Sequence, residues 1–230
     1  MVKVSLELRC SAVLFDLDGV LVDSGNAVEA SWETWARRHG LDGGHVLGQC
    51  HGRRTVETVR AVAPHLDAER EAILLETEQA TQTDGLRACT GAANLLAALG
   101  DLPWAVVTSG TRLLALARLA AAGLPRPAVL VAGDDVEQGK PSPEGYLKAA
   151  TVIGVPAQEC VVFEDARRGV QAAREAGARV IGIAGELLGP TADIDLVVGT
   201  LAELSVEPGG GSVRFSRVGG NGAPPHSRIG

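Results

Sequence analysis

Lysine is nearly absent: Lys3, Lys140 and Lys148 are the only three in 230 residues. That scarcity makes a lysine inside a motif more telling than usual. Cysteine is equally sparse and shows no pattern. Cys10, Cys50, Cys89 and Cys160 have neither zinc-ligand nor redox spacing, so they are expected to be reduced packing residues in a reducing compartment. Excess positive charge is missing too. A net charge of -7 and a pI near 5.3 leave no basic footprint for nucleic acid or an anionic membrane. No apolar run is long enough to span a bilayer. The amino terminus carries Lys3, Glu7 and Arg9 where a signal peptide would carry an apolar core. The expected location is the cytoplasm.

What is present is a hydrophobic fraction of 46%, enough for one sizeable core with room for a smaller second domain. The most informative stretch is Ala12-Val13-Leu14-Phe15-Asp16-Leu17-Asp18-Gly19-Val20-Leu21-Val22-Asp23-Ser24. An apolar run that stops at turn residues is a buried strand. Strand side chains alternate, so Asp16 and Asp18 start on one face, and Gly19 lets the chain turn away sharply. Acids at the carboxyl end of a buried strand lie where open α/β sheets bind ligands. Two carboxylates so close call for a divalent cation and a phosphate between them.

Further along, apolar strands alternate with helices. Strands are expected at Trp104–Val107, Val129–Val131, Cys160–Phe163, Val180–Ile183 and Leu196–Val198. Helices are expected at Leu113–Ala122, Pro143–Ile153 and Gly169–Ala176, each closed by a glycine. This order predicts an α/β fold, a Rossmann-like parallel sheet core with helices on both faces, formed by residues 1–24 and 89–207. Residues 25–88 show helix periodicity and no convincing strand. They predict an inserted all-α cap lying over the carboxyl edge of the sheet, with helices ending at Gly40, covering Thr55–Val62, and running from an Asp67 N-cap to Thr83. Asp23 and Ser24 are expected to cap the first of them at the hinge. Residues 208–230, rich in glycine, serine and proline, are expected to be a mobile tail.

Four polar clusters fall at or near strand ends: Asp16 with Asp18, Thr108-Ser109-Gly110, Gly139-Lys140-Pro141-Ser142-Pro143, and Glu164-Asp165. Each alone is explained by turns and caps; together and in this order they suit phosphoryl transfer. A carboxylate, Asp16, attacks phosphorus and splits one difficult step into two. An anion attacking an anion needs Mg²⁺, held by Asp16, Asp165 and the Asp18 backbone carbonyl, with Glu164 orienting a metal-bound water. Lys140 supplies a point charge to phosphate and nucleophile. The Thr108 hydroxyl and Ser109 amide take the remaining phosphate oxygens. Asp18 protonates the leaving alcohol and then deprotonates water.

These residues resemble the haloacid dehalogenase-like phosphatases. The first motif matches Asp16 to Ser24, and Thr108, Lys140 and Glu164-Asp165 match the second, third and fourth, over about Val13 to Val198. The resemblance implies a Rossmann-like core with a helical cap after the first strand. Ser31 to Leu41, His51-Gly52 and Trp104 to Thr111 are similar to bacterial sugar and sugar-alcohol phosphatases and to yeast glycerol and deoxyglucose-phosphate phosphatases. The implied substrates are small phosphorylated sugars or polyols. A mutase of the β-phosphoglucomutase type is the alternative, and a non-catalytic Mg²⁺ or phosphoprotein-binding module is a third class that would not need Asp18. Asp18 argues against dehalogenation, and the lack of any lysine between Gly25 and Ala88 argues against Schiff-base phosphonate cleavage. The chain departs from many relatives in Ala166-Arg167-Arg168 after the acidic pair. One of His51, Arg53 and Arg54 is expected to face substrate hydroxyls, with Arg53 the leading candidate, whereas Trp32 and Trp35 are expected to pack. The oligomeric state is open, with a monomer as the working expectation.

Overall fold

The computed structural model describes residues 7–185, 187–189 and 193–218. In chain order the elements begin with β1 (Leu8–Cys10), β2 (Ala12–Phe15) and β3 (Val22–Asp23). Four helices follow, α1 (Gly25–Arg38), α2 (Gly43–Cys50), α3 (Thr55–Val62) and α4 (Ala68–Thr81), then β4 (Arg87–Ala88) and α5 (Ala92–Ala98). The rest is β5 (Trp104–Val107), α6 (Arg112–Ala121), β6 (Val129–Val131), α7 (Glu144–Ile153), β7 (Cys160–Glu164), α8 (Arg167–Glu175), β8 (Arg179–Ile183), β9 (Leu196–Val198), β10 (Leu204–Gly209) and β11 (Ser212–Arg217).

Six strands form one parallel sheet in the order β6-β5-β2-β7-β8-β9. Alternation along β2 divides the core. Val13 and Phe15 pack on one face with Leu95, Leu96 and Leu99 of α5 and Ala115 and Leu119 of α6. Ala12 and Leu14 pack on the other with Tyr146 and Ala150 of α7 and Val170 and Ala173 of α8. The chain runs outward from β2 to β5 and β6, then crosses back to β7 on the other side of β2. That reversal makes the carboxyl end of β2 the switch point of the sheet, where a crevice opens.

The helical segment has its own small core of Trp32, Trp35, Val46, Val59, Ala63 and Leu75. Asp67 caps α4 by accepting from the Arg70 amide, as its position suggests. Helix α2 is not among the expected helices; it holds Gly43, Gly44 and Gly48, and Asp42 caps it by accepting from the His45 amide at 2.6 Å. The two crossings between this segment and the sheet run side by side, because β3 pairs antiparallel with β4 at the end of what reads as an all-helical stretch. Helix α4 rests on α6, where the buried Glu76 carboxylate accepts from the Thr111 amide at 2.7 Å.

The expectation of a mobile tail from Pro208 is corrected as far as Val218. Strands β10 and β11 form an antiparallel hairpin whose two-residue turn, Gly210 and Gly211, has φ of +58° and +79°, and β11 also pairs with β1. The physical reason is the alternation Val213-Arg214-Phe215, which buries Val213 and Phe215 against the sheet. Phe215 meets Phe163 edge-on at 5.3 Å, and Phe163 stacks on Phe15 at 4.9 Å. Residues 219–230 lie outside the described residues. Among the described residues, no helix is long and apolar enough to cross a membrane. The four cysteines are free, and burial pushes the Cys10 and Cys50 thiols up to about 12, consistent with packing.

Candidate active site

Parallel registry sets the first contact. Phe15 pairs with Phe163 across β2 and β7, so Asp16 and Glu164 are the next residues on neighbouring strands. Asp165 follows at the start of the loop to α8. Single carboxylate oxygens of Asp16, Glu164 and Asp165 lie within 4.8 Å of one another. Gly19 permits this closeness. Its φ is +75°, and a Cβ there would sit 2.0 Å from Asp165 Oδ2.

Lys140 is brought in by the loop that leads into α7, several residues past the end of β6 and not at the strand end itself. It is 7% exposed, and its ammonium donates to Asp16 Oδ1 at 2.5 Å, Glu164 Oε1 at 2.6 Å and the Val107 carbonyl at 3.2 Å. All three of its protons are therefore held by protein groups. Glu164 is committed at both oxygens. Oε1 also accepts from the Tyr146 hydroxyl at 2.6 Å, and Oε2 accepts from the Asp165 and Ala166 amides at 3.1 and 3.2 Å. Gly169 leaves room for it, since a Cβ there would lie 1.6 Å from Glu164 Oε1. Tyr146, the single tyrosine of the chain, is absent from the sequence reading. Its ring lies 5.2 Å from Lys140 Nζ, and its only sequence signal is a helical position six residues beyond that lysine.

The electrostatics follow from burial. Desolvation pushes the Asp16 carboxyl up to about 7, Lys140 opposes this, and the charges of Glu164 and Asp18 add to it. Asp165 is raised well above the usual carboxylate range, first by burial and then by Asp16 and Glu164. Burial alone would lower Lys140, but the carboxylates of Asp16 and Glu164 outweigh it and raise the ammonium's pKa. An edge that crowds acids in this way favours a cation, and a donor set made wholly of oxygen suits a hard one such as Mg²⁺. The residues present fit that ion.

Asp18 lines the same crevice as the three acids but stands apart from them. Its Oδ1 accepts from the Ser24 hydroxyl at 2.6 Å and its Oδ2 from Arg118 at 2.5 Å. Its carboxylate is outside the three-acid cluster. Ser24 does occupy the N-cap position of α1, but its side chain makes no capping bond; the hydroxyl goes to Asp18 instead. Asp23 pairs with Arg87. On the β5 side, Thr108 is 5% exposed, and its hydroxyl oxygen accepts from the Gly110 amide at 3.2 Å, which leaves its proton available. The Ser109 hydroxyl donates to the Gly52 carbonyl at 3.3 Å, tying this loop to the helical segment.

A chamber of about 150 Å³ lies between the sheet edge and the helices, lined by Asp16, Asp165, Thr108, Trp32, His51 and Arg53 among others. Of the three cap candidates, His51 and Arg53 line it and Arg54 does not. The Arg54 guanidinium instead donates to the carbonyls of Val136 at 2.9 Å and Glu137 at 2.8 Å and pairs with Glu57. Glu57 in turn accepts from the Gly139 amide at 3.3 Å, so these two residues clasp the loop that carries Lys140. Burial lowers the His51 pKa, leaving a neutral imidazole able to donate and accept. Trp32 and Trp35 are 4% and 2% exposed and pack edge to face at 5.4 Å.

Comparison with known proteins agrees with this architecture. The family model described as "Hydrolase: haloacid dehalogenase-like hydrolase" matches residues 10–177. The chain belongs to that family. Hexitol phosphatase A of Escherichia coli (strain K12) is 43% identical over 205 residues, covering 86% of this chain and 95% of its own. Glycerol-1-phosphate phosphohydrolase 2 of Saccharomyces cerevisiae is 38% identical over 191 residues, covering 78% of this chain and 76% of its own. Within the family, the chain is a phosphatase, a phosphoric monoester hydrolase. The solved structure of CbbY from Rhodobacter sphaeroides in complex with phosphate shares the fold, with a TM-score of 0.77 at 24% identity over 84% of this chain and 96% of that one.

Proposed function

We propose that this enzyme hydrolyses monophosphates of small sugars or sugar alcohols, with Mg²⁺, through an aspartyl-phosphate on Asp16. The observation that carries the reading is the buried placement of Asp16, with one oxygen fixed by Lys140 and its carboxylate beside those of Glu164 and Asp165. The hexitol and glycerol phosphatase relatives support the substrate class. So does a chamber of about 150 Å³ with a neutral histidine, an arginine and a carboxylate, Glu29, in its wall.

The chemistry assigns one task to each group. An Asp16 carboxylate oxygen attacks phosphorus as the bond from phosphorus to the sugar oxygen breaks. Asp18 gives its proton to that oxygen, and the alcohol leaves. Water then attacks the phosphorus of the aspartyl-phosphate, Asp18 takes its proton, and the Asp16 carboxylate is released with inorganic phosphate. Thr108 donates its free proton, and Ser109 its amide, to phosphate oxygens. Lys140 orients Asp16 and offsets the charge building beside it. Mg²⁺, held by Asp16, Asp165 and the Asp18 backbone carbonyl, would supply Lewis-acid charge to offset repulsion between nucleophile and phosphate. Glu164, with both oxygens engaged, holds Lys140 and the Asp165 loop in place. Arg53 faces the leaving group.

A phosphate-release screen over hexitol, glycerol, deoxyglucose and nucleotide monophosphates, with Mg²⁺ or with EDTA, tests this. The expected result is Mg²⁺-dependent release, highest with a sugar or polyol phosphate. An isomerised sugar phosphate without phosphate release, as a mutase would give, or a preference for nucleotides would overturn it. Mg²⁺ is also expected to raise the melting temperature of the wild type and not of Asp165→Asn, checked by thermal shift.

A further inference from the structure

Arg118 stands where its helix should be apolar. In α6 the core-facing positions are Leu114, Ala115, Arg118 and Leu119, and Arg118 is 5% exposed. Burying a guanidinium is costly unless its donors are met by well-placed acceptors. Two acceptors meet it here, from different parts of the molecule. One nitrogen donates to Asp18 Oδ2 at 2.5 Å. The other donates to the side-chain oxygen of Gln79, on α4, at 2.9 Å, and the Gln79 amide reaches the Ser31 hydroxyl of α1 at 3.1 Å. With Ser24 on its other oxygen, Asp18 is gripped at the mouth of the helical segment and at a core helix together. Gln79 and Arg118 also form the partition between the catalytic chamber and a cavity of about 530 Å³ between α1 and α4.

We infer that Arg118 is the positioning residue for Asp18, and that its contact with Gln79 makes the orientation of Asp18 depend on the helical segment being seated over the sheet edge. The inference rests on the acid–base reading of Asp18. A bidentate fork suits the task, since its two nitrogens hold two partners in fixed relation and a lysine's single ammonium does not. The consequence is that Gln79, which touches no reacting group, bears on Asp18 through the Arg118 fork. This seam differs from the neighbouring one between Glu76 and the Thr111 amide, which ties the same two helices but touches no reacting group.

Leaving-group dependence in the full-length enzyme with Mg²⁺ tests the inference. The best alkyl phosphate from the screen needs its departing oxygen protonated; p-nitrophenyl phosphate does not. Asp18→Asn should lower kcat/KM for the alkyl phosphate by about 10²-fold or more and for the aryl phosphate far less. Arg118→Met should show the same selectivity at about tenfold, and should add nothing in the Asp18→Asn background, because coupled residues are not additive. Gln79→Ala should cost about threefold on the alkyl phosphate, an effect that vanishes in the Arg118→Met background. Arg118→Lys, which keeps the charge, should recover part of the selectivity without recovering sensitivity to Gln79. Equal losses on both substrates, or losses that multiply with Asp18→Asn, would overturn the inference and leave the acid–base reading standing. If Asp18→Asn itself shows no leaving-group selectivity, that reading falls and the inference falls with it. Should Arg118→Met fail to fold, Gln79→Ala and Arg118→Lys decide the matter by the same criteria.

Discussion

The sheet edge and the helical cover solve opposite problems. At the edge, Lys140 and Glu164 are over-determined: Lys140 has three acceptors and Glu164 meets four donors. In the cover, the chamber wall is held by few ties. Arg53 makes one side-chain hydrogen bond among the described residues, to Gln49 at 3.2 Å. The edge is therefore built to keep one geometry, and the cover to change its lining without disturbing the chemistry. The two meet at Asp18, which explains why that carboxylate is held from both sides.

The comparison can be broken first at the proposed nucleophile. Asp16→Asn should reduce phosphate release by at least about 10⁴-fold while leaving the fold intact, since the amide keeps the shape of the side chain. Glycine gives a sharper contrast. Gly169→Ala drives a methyl into Glu164 and should loosen Lys140, lowering kcat by about 10²-fold and stability by about 3 kcal/mol, read by kinetics and denaturant unfolding. Gly48→Ala, in α2 with nothing within 4 Å of the added Cβ, should instead raise stability by about 1 kcal/mol and leave kcat alone. Phe215→Ala opens a cavity against Phe163, on the sheet face that packs α5 and α6. It should cost about 3–5 kcal/mol in unfolding free energy with kcat unchanged. The cover has its own test: Arg53→Ala should raise KM for sugar phosphates by about tenfold and hardly change turnover of p-nitrophenyl phosphate. A loss as large on p-nitrophenyl phosphate would erase the distinction between the two regions.

Much of the edge was legible because a parallel sheet writes itself as short apolar runs ending in polar residues. Asp16, Thr108 and Glu164-Asp165 are such endings, and the structure gathers them around one chamber. What stayed hidden were groups whose partners are distant in sequence. Arg118 sits on the apolar face of its helix, but nothing nearby in sequence names its partner Asp18, 100 residues away. Tyr146 carries no motif, and Ser24 reads as a helix cap though its hydroxyl serves Asp18. The hairpin of β10 and β11 was masked by its glycine-rich turn, although Val213 and Phe215 already alternate with Arg214 and Ser216. Composition spoke for the turn, and periodicity spoke for the strands.

The most direct test of the account is to trap the covalent intermediate. Asp18→Asn enzyme, mixed with Mg²⁺ and p-nitrophenyl phosphate, is quenched in acid, reduced with borohydride and digested. The account predicts a phosphate-dependent conversion to homoserine at Asp16 alone. Reduction at another residue, or turnover with no modified Asp16, would contradict it.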